Sequence, residues 1–526
     1  MANMFRYEGD TFPLALVQHR LAPHRAVLRH LVRLVAELAR DGRRGVMVLD
    51  AVYRASTCGV TRVAAAMTTV LAEGHKLLYT QLLAWLLQGA LYDPHHEFFI
   101  VRSGEPGEES LLAQETEHGD TAVARSKSGQ YRLELGMVPG HISPQLAEKI
   151  FFIGESIQLF ESDKRVEVGG AVLREREGEL YRALAQLQQL RDSGAGSQLV
   201  TSQMSQLGQF VDKIRGLVSA QLHHLVVEEG GLLAELATLW DVFTLARGEL
   251  VLAFIRAADP RLVAPPTAAT QHDTSLAWQG AVAAVTDAEA GERLLGRARV
   301  VLGEGGASGW EQLRVQYAVP WPLHLVLTPA SLDRYNAVFR FLLLVRRTQA
   351  ALHTQWAERM FGSRARGRER GAGGDTAGQT RQHMIFLVDN LQYYVMADVL
   401  ATQTRALSNK IAATNSFEEV KLFHDQFLTQ VQASLFLFNE PVSKCLVDTM
   451  NVILKFCAAS SASSQSALST AFSHHSFLLL KLLSSLRHQM APTSLAQLLT
   501  RIDYNRYFSN KDKTKLRSSH KTSAVP

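Results

Sequence analysis

The chain has 526 residues, of which 47% are hydrophobic and 20% are charged, and its formal net charge is +5. It is too long for one compact core, so we expect two to four domains or a rod of successive bundles. Cys58, Cys445 and Cys457 are too few and too scattered for a disulfide framework, which excludes a small disulfide-stapled scaffold and indicates a reducing compartment.

Targeting, membrane and nucleic-acid signals are weak. The first ten residues carry charges and no apolar run, so no secretory signal is predicted. Arg340 and Lys481 interrupt the two best apolar runs, and we expect no membrane-spanning segment. The basic excess lies in 362–381 and 510–526, which contain no Phe, Tyr or Trp, whereas nucleic-acid-binding faces interleave aromatic residues. We predict a cytoplasmic protein with no nucleic-acid and no membrane partner.

Apolar residues recur at helical spacing through most of the N-terminal half, between short Gly or Ser breaks. Residues 103–129 are rich in Gly, Glu, Ser and Thr, which is typical of a mobile insertion, and 131–135 favours an extended segment. Gly230-Gly231 interrupts the last long helical stretch, and we place the domain boundary there. Helices are predicted over 11–40, 44–56, 60–75, 76–91, 142–160, 175–190 and 205–245.

The C-terminal half is also mostly helical in pattern. Prolines predict a rigid connector at 259–267 and an extended segment at 315–327. Thr328 followed by Pro329 is typical of a helix start, here of a helix of about thirty residues. The basic segment 362–381 is predicted as a loop. Further helices are predicted over 232–257, 383–400, 416–437, 441–458, 475–488 and 495–507.

The segment 383–400 is apolar on most sides of a helix. A surface helix would show one wide polar face, so we expect this helix inside a bundle with several neighbours. Asp389 and Asn390 interrupt it and are expected to be buried structural polar groups. Its main stripe consists of Met384, Leu387, Val388, Leu391, Val395 and Val399, and a second stripe consists of Phe386, Tyr393 and Ala397.

No segment has the spacing of a catalytic or metal site. The glycines of 303–309 lack the Lys and the strand-to-helix context of a phosphate loop. His95-His96-Glu97 has no second His at metalloprotease spacing, and adjacent pairs such as His223-His224 point in different directions on a helix. The sequence predicts a protein that is not an enzyme, with no catalytic residues, no cofactor, no metal and no small-molecule substrate.

Short motifs, each weak alone, occur in a consistent order over roughly residues 45 to 508. They are Glu97-Phe-Phe-Ile100, Phe152-Ile-Gly-Glu-Ser156, Ala246-Arg-Gly-Glu-Leu250, Pro265-Pro-Thr267, Trp321-Pro-Leu-His324, Thr328-Pro-Ala330, Tyr335-Asn336, Val345-Arg-Arg347, Phe386-Leu-Val-Asp-Asn-Leu-Gln-Tyr-Tyr394, Asp398-Val-Leu400 and Arg501-Ile-Asp-Tyr-Asn505. Through these motifs the chain resembles the gamma-tubulin complex component family.

The resemblance implies an all-α fold, an elongated rod of consecutive helical bundles with N-terminal and C-terminal halves. It implies that 1-228 is an N-terminal helical-bundle domain for lateral assembly, that 229-508 is a C-terminal helical-bundle domain that binds gamma-tubulin, and that 509-526 is a basic disordered tail. It further implies a non-enzymatic scaffold that partners gamma-tubulin and other complex components. Such a scaffold supports microtubule nucleation in the cytoskeleton, at the centrosome or spindle pole.

Polar or backbone-constraining residues within those motifs are the candidates for the gamma-tubulin face, because core packing alone does not account for them. Each can instead be a helix cap or an ion pair inside the bundle, and the sequence leaves both roles open. The candidates are Arg247, Gly248, Glu249, Pro265, Pro266, Thr267, His324, Arg334, Asn336, Arg346 and Arg347.

The chain also departs from the family pattern. Its start corresponds to a point inside the family's N-terminal domain, so we expect that domain to be incomplete, either because the gene model is truncated or because this version assembles differently. The segments 287–309 and 362–381 are specific to this chain. Two other functions stay open: a tethering or adaptor subunit built as a similar helical rod, and a nucleic-acid binder whose affinity falls steeply with salt.

Overall fold

The computed structural model describes residues 14–102, 131–162, 198–303, 308–365, 376–459, 461–489 and 493–506. These residues are helical almost throughout, with two short antiparallel strand pairs, so the predicted all-α class is confirmed. The predicted insertion 103–129, helix 175–190 and tail 509–526 lie outside the described residues. The chain divides into two compact units, Met1–Leu222 and His223–Pro526.

The first unit is built from antiparallel helices and one strand pair. Val52, Met67 and Leu71 are buried in a core shared by its first three helices. In the strand pair, Ile100 lies opposite Leu133. The elements are α1 Leu14–Asp41, α2 Val46–Ser56, α3 Thr61–Gln88, β1 Ile100–Arg102, β2 Tyr131–Leu133, α4 Pro144–Ser162 and α5 Gln198–His223, whose last residue belongs to the second unit.

Helices α3 and α4 approach each other closely at Gly154. A Cβ atom built on Gly154 would lie 2.0 Å from Cε2 of Trp85, so only glycine leaves room for the indole ring. Trp85 is fully buried, and its Nε1 donates to the carbonyl oxygen of Ile150 at 2.9 Å. The glycine of the motif Phe152-Ile-Gly-Glu-Ser156 therefore serves helix packing.

The second unit is a larger helical assembly that begins with a π-helical turn at His224–Glu229. Strand Leu313–Tyr317 pairs with Ala298–Leu302 and packs on the long helix that follows it. Its elements are α6 Leu232–Phe243, α7 Gly248–Leu262, α8 Ala268–Val285, α9 Ala288–Arg297, β3 Ala298–Leu302, β4 Leu313–Tyr317, α10 Pro329–Ala365, α11 Thr376–Ala413, α12 Phe417–Ser434, α13 Glu440–Ala458, α14 Ala462–Gln489 and α15 Thr493–Ile502.

Helix α11 contains the predicted central segment and contacts α10, α12, α14 and α15. All six residues of its predicted main stripe are buried, which confirms that stripe. The second stripe is only partly buried: Phe386 and Ala397 are half-buried, whereas Tyr393 is largely exposed, with the Arg501 guanidinium carbon 4.4 Å from its ring centroid. Asp389 and Asn390 are half-buried and hydrogen-bonded: Gln349 Nε2 donates to Asp389 Oδ1 at 2.7 Å, and Asn390 donates within its own helix.

Several predicted helix boundaries are wrong. The segments 60–75 and 76–91 form one helix, α3, because Gly74 fits beside Leu49 without breaking it. The segment 232–257 is two helices, separated where Leu245 has a φ of 54°. Asp259-Pro260 is not a connector, since it lies inside α7. The buried Ala258 and Leu262 hold the last turn of α7 in place despite the hydrogen bond that proline cannot make.

The predicted start of α10 is confirmed, and its predicted end is not. The backbone N–H of Ser331 donates to Thr328 Oγ1 at 3.3 Å, which is the expected cap, with Pro329 in the first turn. Helical structure then runs to Ala365 and resumes at Thr376, so half of the predicted loop 362–381 is helix, at its two ends. Only 366–375 lies outside the described residues.

One helix of the described part, Thr376–Ala413, is long and apolar enough to cross a membrane, by length and composition alone. The interruptions at Arg340 and Lys481 did not predict this helix, and the expectation of no membrane-spanning segment stays a prediction. Half of its most apolar window is buried inside the protein. A central bundle helix has this composition because it contacts other helices on most of its sides.

Candidate functional site

Eight of the eleven predicted site residues gather around one helix, α7. They lie at its start, in the connector that follows it, or on the neighbouring helix α10 where it packs against α7. The grouping could not be read from the sequence, because the two helices are some eighty residues apart. The eight residues are Arg247, Gly248, Glu249, Pro265, Pro266, Thr267, Arg346 and Arg347.

The start of α7 is formed by Arg247, Gly248 and Glu249. Arg247 Nε donates to Asp241 Oδ2 at 2.7 Å, which ties the end of α6 to the start of α7. Glu249 is exposed in the first turn, where a negative charge complements the helix dipole. A Cβ on Gly248 would lie 3.4 Å from Nη2 of the half-buried Arg346, which is ordinary van der Waals contact and places this guanidinium beside the start of α7. Burial lowers the pKa of Arg346.

Arg347 connects α10 to α7 near the other end of the helix. Its Nε donates to Asp259 Oδ1 at 2.9 Å, and its guanidinium carbon lies 4.8 Å from the centroid of the Trp310 ring. Burial lowers the pKa of Arg347, and the charge and hydrogen bond of Asp259 oppose that shift. The flat guanidinium thus satisfies an ion pair and an aromatic contact together, which a lysine could not do.

The connector 263–267 is mostly exposed and holds Pro265, Pro266 and Thr267. The carbonyl oxygen of Ala264 accepts from the N–H of Gly309 at 3.1 Å, which fixes the connector to the turn before β4. Thr267 caps α8: its Oγ1 accepts from the N–H of Thr270, and the Thr270 hydroxyl accepts from the N–H of Thr267. Thr267 therefore has a structural role, whereas the two prolines present a rigid edge beside α7.

The remaining three candidates lie away from α7. Arg334 donates from α10 to Gln432, Asp425 and Thr429 on α12, so it holds two helices of the bundle together. Asn336 is only 8% exposed and bonds to both backbone groups of Val315 on β4. His324 is half-buried in the turn after the cis Trp321-Pro322 bond, and burial lowers its pKa.

A groove of about 1280 Å³ lies between α7, α10 and α13. Its lining mixes aliphatic side chains with polar and charged ones, and Arg256 and Lys455 lie there together with the acids Asp259 and Glu358. Val263 and Phe361, both of which line it, are 58% and 69% exposed. Arg347 and Asp259 stand on one side, which connects the groove to the predicted site residues. Large exposed apolar side chains beside charged ones are typical of a surface that binds another protein.

The sequence missed Arg256, Val263 and Phe361 as site residues. Val263 lies two residues before Pro265 of the Pro265-Pro-Thr267 motif, and that proximity was the only signal in the sequence. Phe361 directly precedes the basic segment 362–381, which was predicted as a loop. Its exposure became visible only when α10 was found to extend past it. Within the described ranges, no cluster of three or more His, Cys, Asp or Glu residues could hold a metal ion.

Comparison with known proteins agrees with this architecture. The model of the gamma tubulin complex component N-terminal region matches residues 3–229, and the model of the C-terminal region matches 232–508. The chain is 35% identical to human gamma-tubulin complex component 4 over 90% of its own length and 78% of that protein's length.

Two further relatives extend the comparison. The mouse gamma-tubulin complex component 4 is 34% identical over 94% of this chain and 80% of its own length. The spindle pole body component alp6 of Schizosaccharomyces pombe is 24% identical over 69% of this chain and 41% of its own length. With both family models matched in order along nearly the whole chain, the protein belongs to the gamma-tubulin complex component family.

Proposed function

We propose that this chain is a non-catalytic scaffold subunit of a gamma-tubulin complex, with gamma-tubulin and other complex components as its partners. The proposal is supported by family membership and by the names of the relatives, which are gamma-tubulin complex components and a spindle pole body component. We assign gamma-tubulin binding to 229-508 and lateral assembly to 1-228. We place the chain at microtubule-organizing centres in the cytoplasm.

The proposed mechanism is positioning. Subunits that stand side by side hold several gamma-tubulin molecules at one spacing, so that each molecule is already in register for lateral contact. Because the scaffold has already restricted their translation and rotation, the entropic cost of forming the microtubule nucleus falls. The chain itself needs no nucleotide chemistry in this mechanism.

The observation that carries the site assignment is the groove beside α7. Eight of the predicted residues gather around this helix, and the groove exposes Val263 and Phe361 next to Arg256 and Lys455. Interfaces between proteins usually have an apolar centre surrounded by polar and charged residues. We therefore propose that gamma-tubulin contacts the groove and the adjoining start of α7, with Arg247 and Glu249 at its edge.

The test is co-purification of the full-length chain with gamma-tubulin. A variant with Val263→Asp and Phe361→Asp places two charges on exposed positions of the groove, where they need not disturb the core. We expect it to retain less than about a tenth of wild-type binding, because apolar contacts at the centre of an interface carry most of its free energy. Circular dichroism and thermal unfolding then report whether the variant remains folded.

The matched control is Leu422→Asp, which charges an exposed leucine on α12 outside the groove. We expect this variant to bind like the wild type. If the wild-type chain fails to bind gamma-tubulin, the scaffold proposal is wrong and the tethering alternative returns. If the wild type binds and both variants bind equally well, the scaffold proposal survives and its placement at the groove is wrong.

A further inference from the structure

Helix α1 has a second apolar stripe that faces solvent. Its inner face packs on α2 and α3 through Leu34 and its neighbours. On the outside, Leu28, Val32 and Val35 are 46%, 70% and 60% exposed. Intervals of four and three residues bring these side chains onto one line, which is the spacing of a coiled-coil seam. Single exposed apolar residues are common on protein surfaces, but a contiguous line of them indicates a binding surface.

A basic row runs beside this stripe. Arg25, Arg29 and Arg33 follow one another at intervals of four residues, and all three are exposed. The sequence of α1 contains no Asp or Glu before Glu37. The outer face of α1 therefore combines an apolar line with a positive edge that no acid of the same helix neutralises.

We propose that the outer face of α1 binds an acidic amphipathic helix of a partner protein. Leu28, Val32 and Val35 would interdigitate with the apolar face of that helix, and the three arginines would pair with its acidic flank. Charge complementarity argues for this partner. A row of Glu or Asp opposite the arginines would attract them, whereas within α1 the three arginines repel one another. The inference goes beyond the proposed function, which assigns lateral assembly to 1-228 as a whole and names neither a contact face nor the chemistry of the partner there.

Two other occupants fit this face less well. A second copy paired through the same face would bring further arginines to the contact and no acid from the first part of α1. An anionic membrane surface would suit the positive charge, but α1 contains no Trp, Tyr or Phe of the kind that anchors interfacial helices.

The test uses the full-length chain and a labelled synthetic peptide of three heptads, with Leu at the a and d positions and Glu at the e and g positions. Repulsion between glutamates keeps this peptide from pairing with itself. Fluorescence anisotropy should show binding that weakens as salt is raised. Val32→Asp should weaken it at least about tenfold, whereas Met47→Asp, at an exposed position of α2, should leave it unchanged.

A charge swap separates the proposed contact from a folding defect. The variant Arg25→Glu, Arg29→Glu and Arg33→Glu should lose the acidic peptide and gain a peptide in which Lys replaces Glu. A misfolded protein would bind neither peptide specifically, and near-wild-type circular dichroism would confirm that the variant is folded. Binding of both peptides by the wild type with equal affinity would overturn the proposal.

Three further outcomes would also overturn it. One is no binding of the acidic peptide by the folded wild type. A second is a dimer, detected by light scattering, that Val32→Asp dissociates, because a second copy would then be the occupant. The third is Val32-dependent binding to vesicles containing phosphatidylserine with no binding of the peptide, because the face would then belong to a membrane surface.

Discussion

Asn336 holds strand β4 against helix α10 through both ends of its side-chain amide. Its Oδ1 accepts from the N–H of Val315 at 2.8 Å, and its Nδ2 donates to the carbonyl oxygen of Val315 at 3.0 Å. The side chain thus imitates a neighbouring strand and satisfies two buried backbone groups. This geometry accounts for the polar residue of the Tyr335-Asn336 motif without any partner protein.

Replacing Asn336 by Ala should lower the free energy of unfolding by about 2 to 3 kcal/mol, because two buried backbone groups lose their partners. Urea unfolding of the full chain, followed by circular dichroism, measures the change. Asn409→Ala is the matched control, since Asn409 is exposed on α11, and its effect should stay within about 0.5 kcal/mol. Equal midpoints for the two variants would contradict the structural role of Asn336.

At the scale of elements, the crossing of α3 and α4 depends on the absence of a side chain at Gly154. Gly154→Ala should destabilise the first unit by on the order of 3 kcal/mol, because the added methyl group would overlap the Trp85 ring. This is opposite to the effect expected from helix propensity, which favours Ala over Gly by about 1 kcal/mol. Thermal unfolding of the purified chain measures the difference.

Gly216→Ala provides the comparison. Gly216 lies on α5 with no atom within 4 Å of a built Cβ, so the substitution should be neutral or stabilising by up to about 1 kcal/mol. If both glycine variants change the unfolding temperature in the same direction, the close packing at Gly154 does not govern stability.

Helix periodicity predicted the elements of this chain better than it predicted their ends. The buried stripe of α11 and the cap at Thr328 follow from local patterns, and both are confirmed. Pro260 was wrongly predicted to lie in a connector. The free energy lost with the missing helix hydrogen bond is offset by the burial of Ala258 and Leu262, and that burial depends on residues distant in sequence. The same limit applies to Tyr393, which is exposed and contacts Arg501 from the far end of the chain.

At the scale of the whole molecule, ordered motifs predicted the family, and they did not show which surface its members use. Arg247 adjoins helix α7 in the sequence, whereas Arg347 is a hundred residues further on and reaches α7 only through folding. The sequence also does not show which side chains are buried and which are exposed. Asn336 is buried and Val263 is exposed, and only the structure distinguishes them. A surface site can be identified only from the three-dimensional structure, because the exposure of a side chain depends on the residues that pack around it.

Each of the two units contains a buried histidine that cannot readily become charged. His75 Nε2 lies 3.1 Å from His141 Nε2 in the first unit, and burial and the His141 charge lower the pKa of His75 to about 4. In the second unit, His424 Nε2 lies 3.0 Å from the Tyr335 hydroxyl, and burial lowers its pKa to about 4. Asp425 partly opposes that shift. Both rings are therefore neutral at pH 7 in the folded protein.

The chain should lose stability as the pH falls from 7 towards 5, in both units. Below a pKa of about 6.5 the unfolded state binds protons at these histidines and the folded state does not, so the free energy of unfolding decreases with falling pH. For a pKa of about 4 in the folded state, this linkage gives a loss of about 2 kcal/mol per histidine at pH 5. Urea unfolding at both pH values should show smaller losses for His75→Gln and His424→Gln than for the wild type. Identical pH dependence in all three proteins would mean that neither histidine is the acid-sensitive group, because a glutamine cannot take up the proton on unfolding.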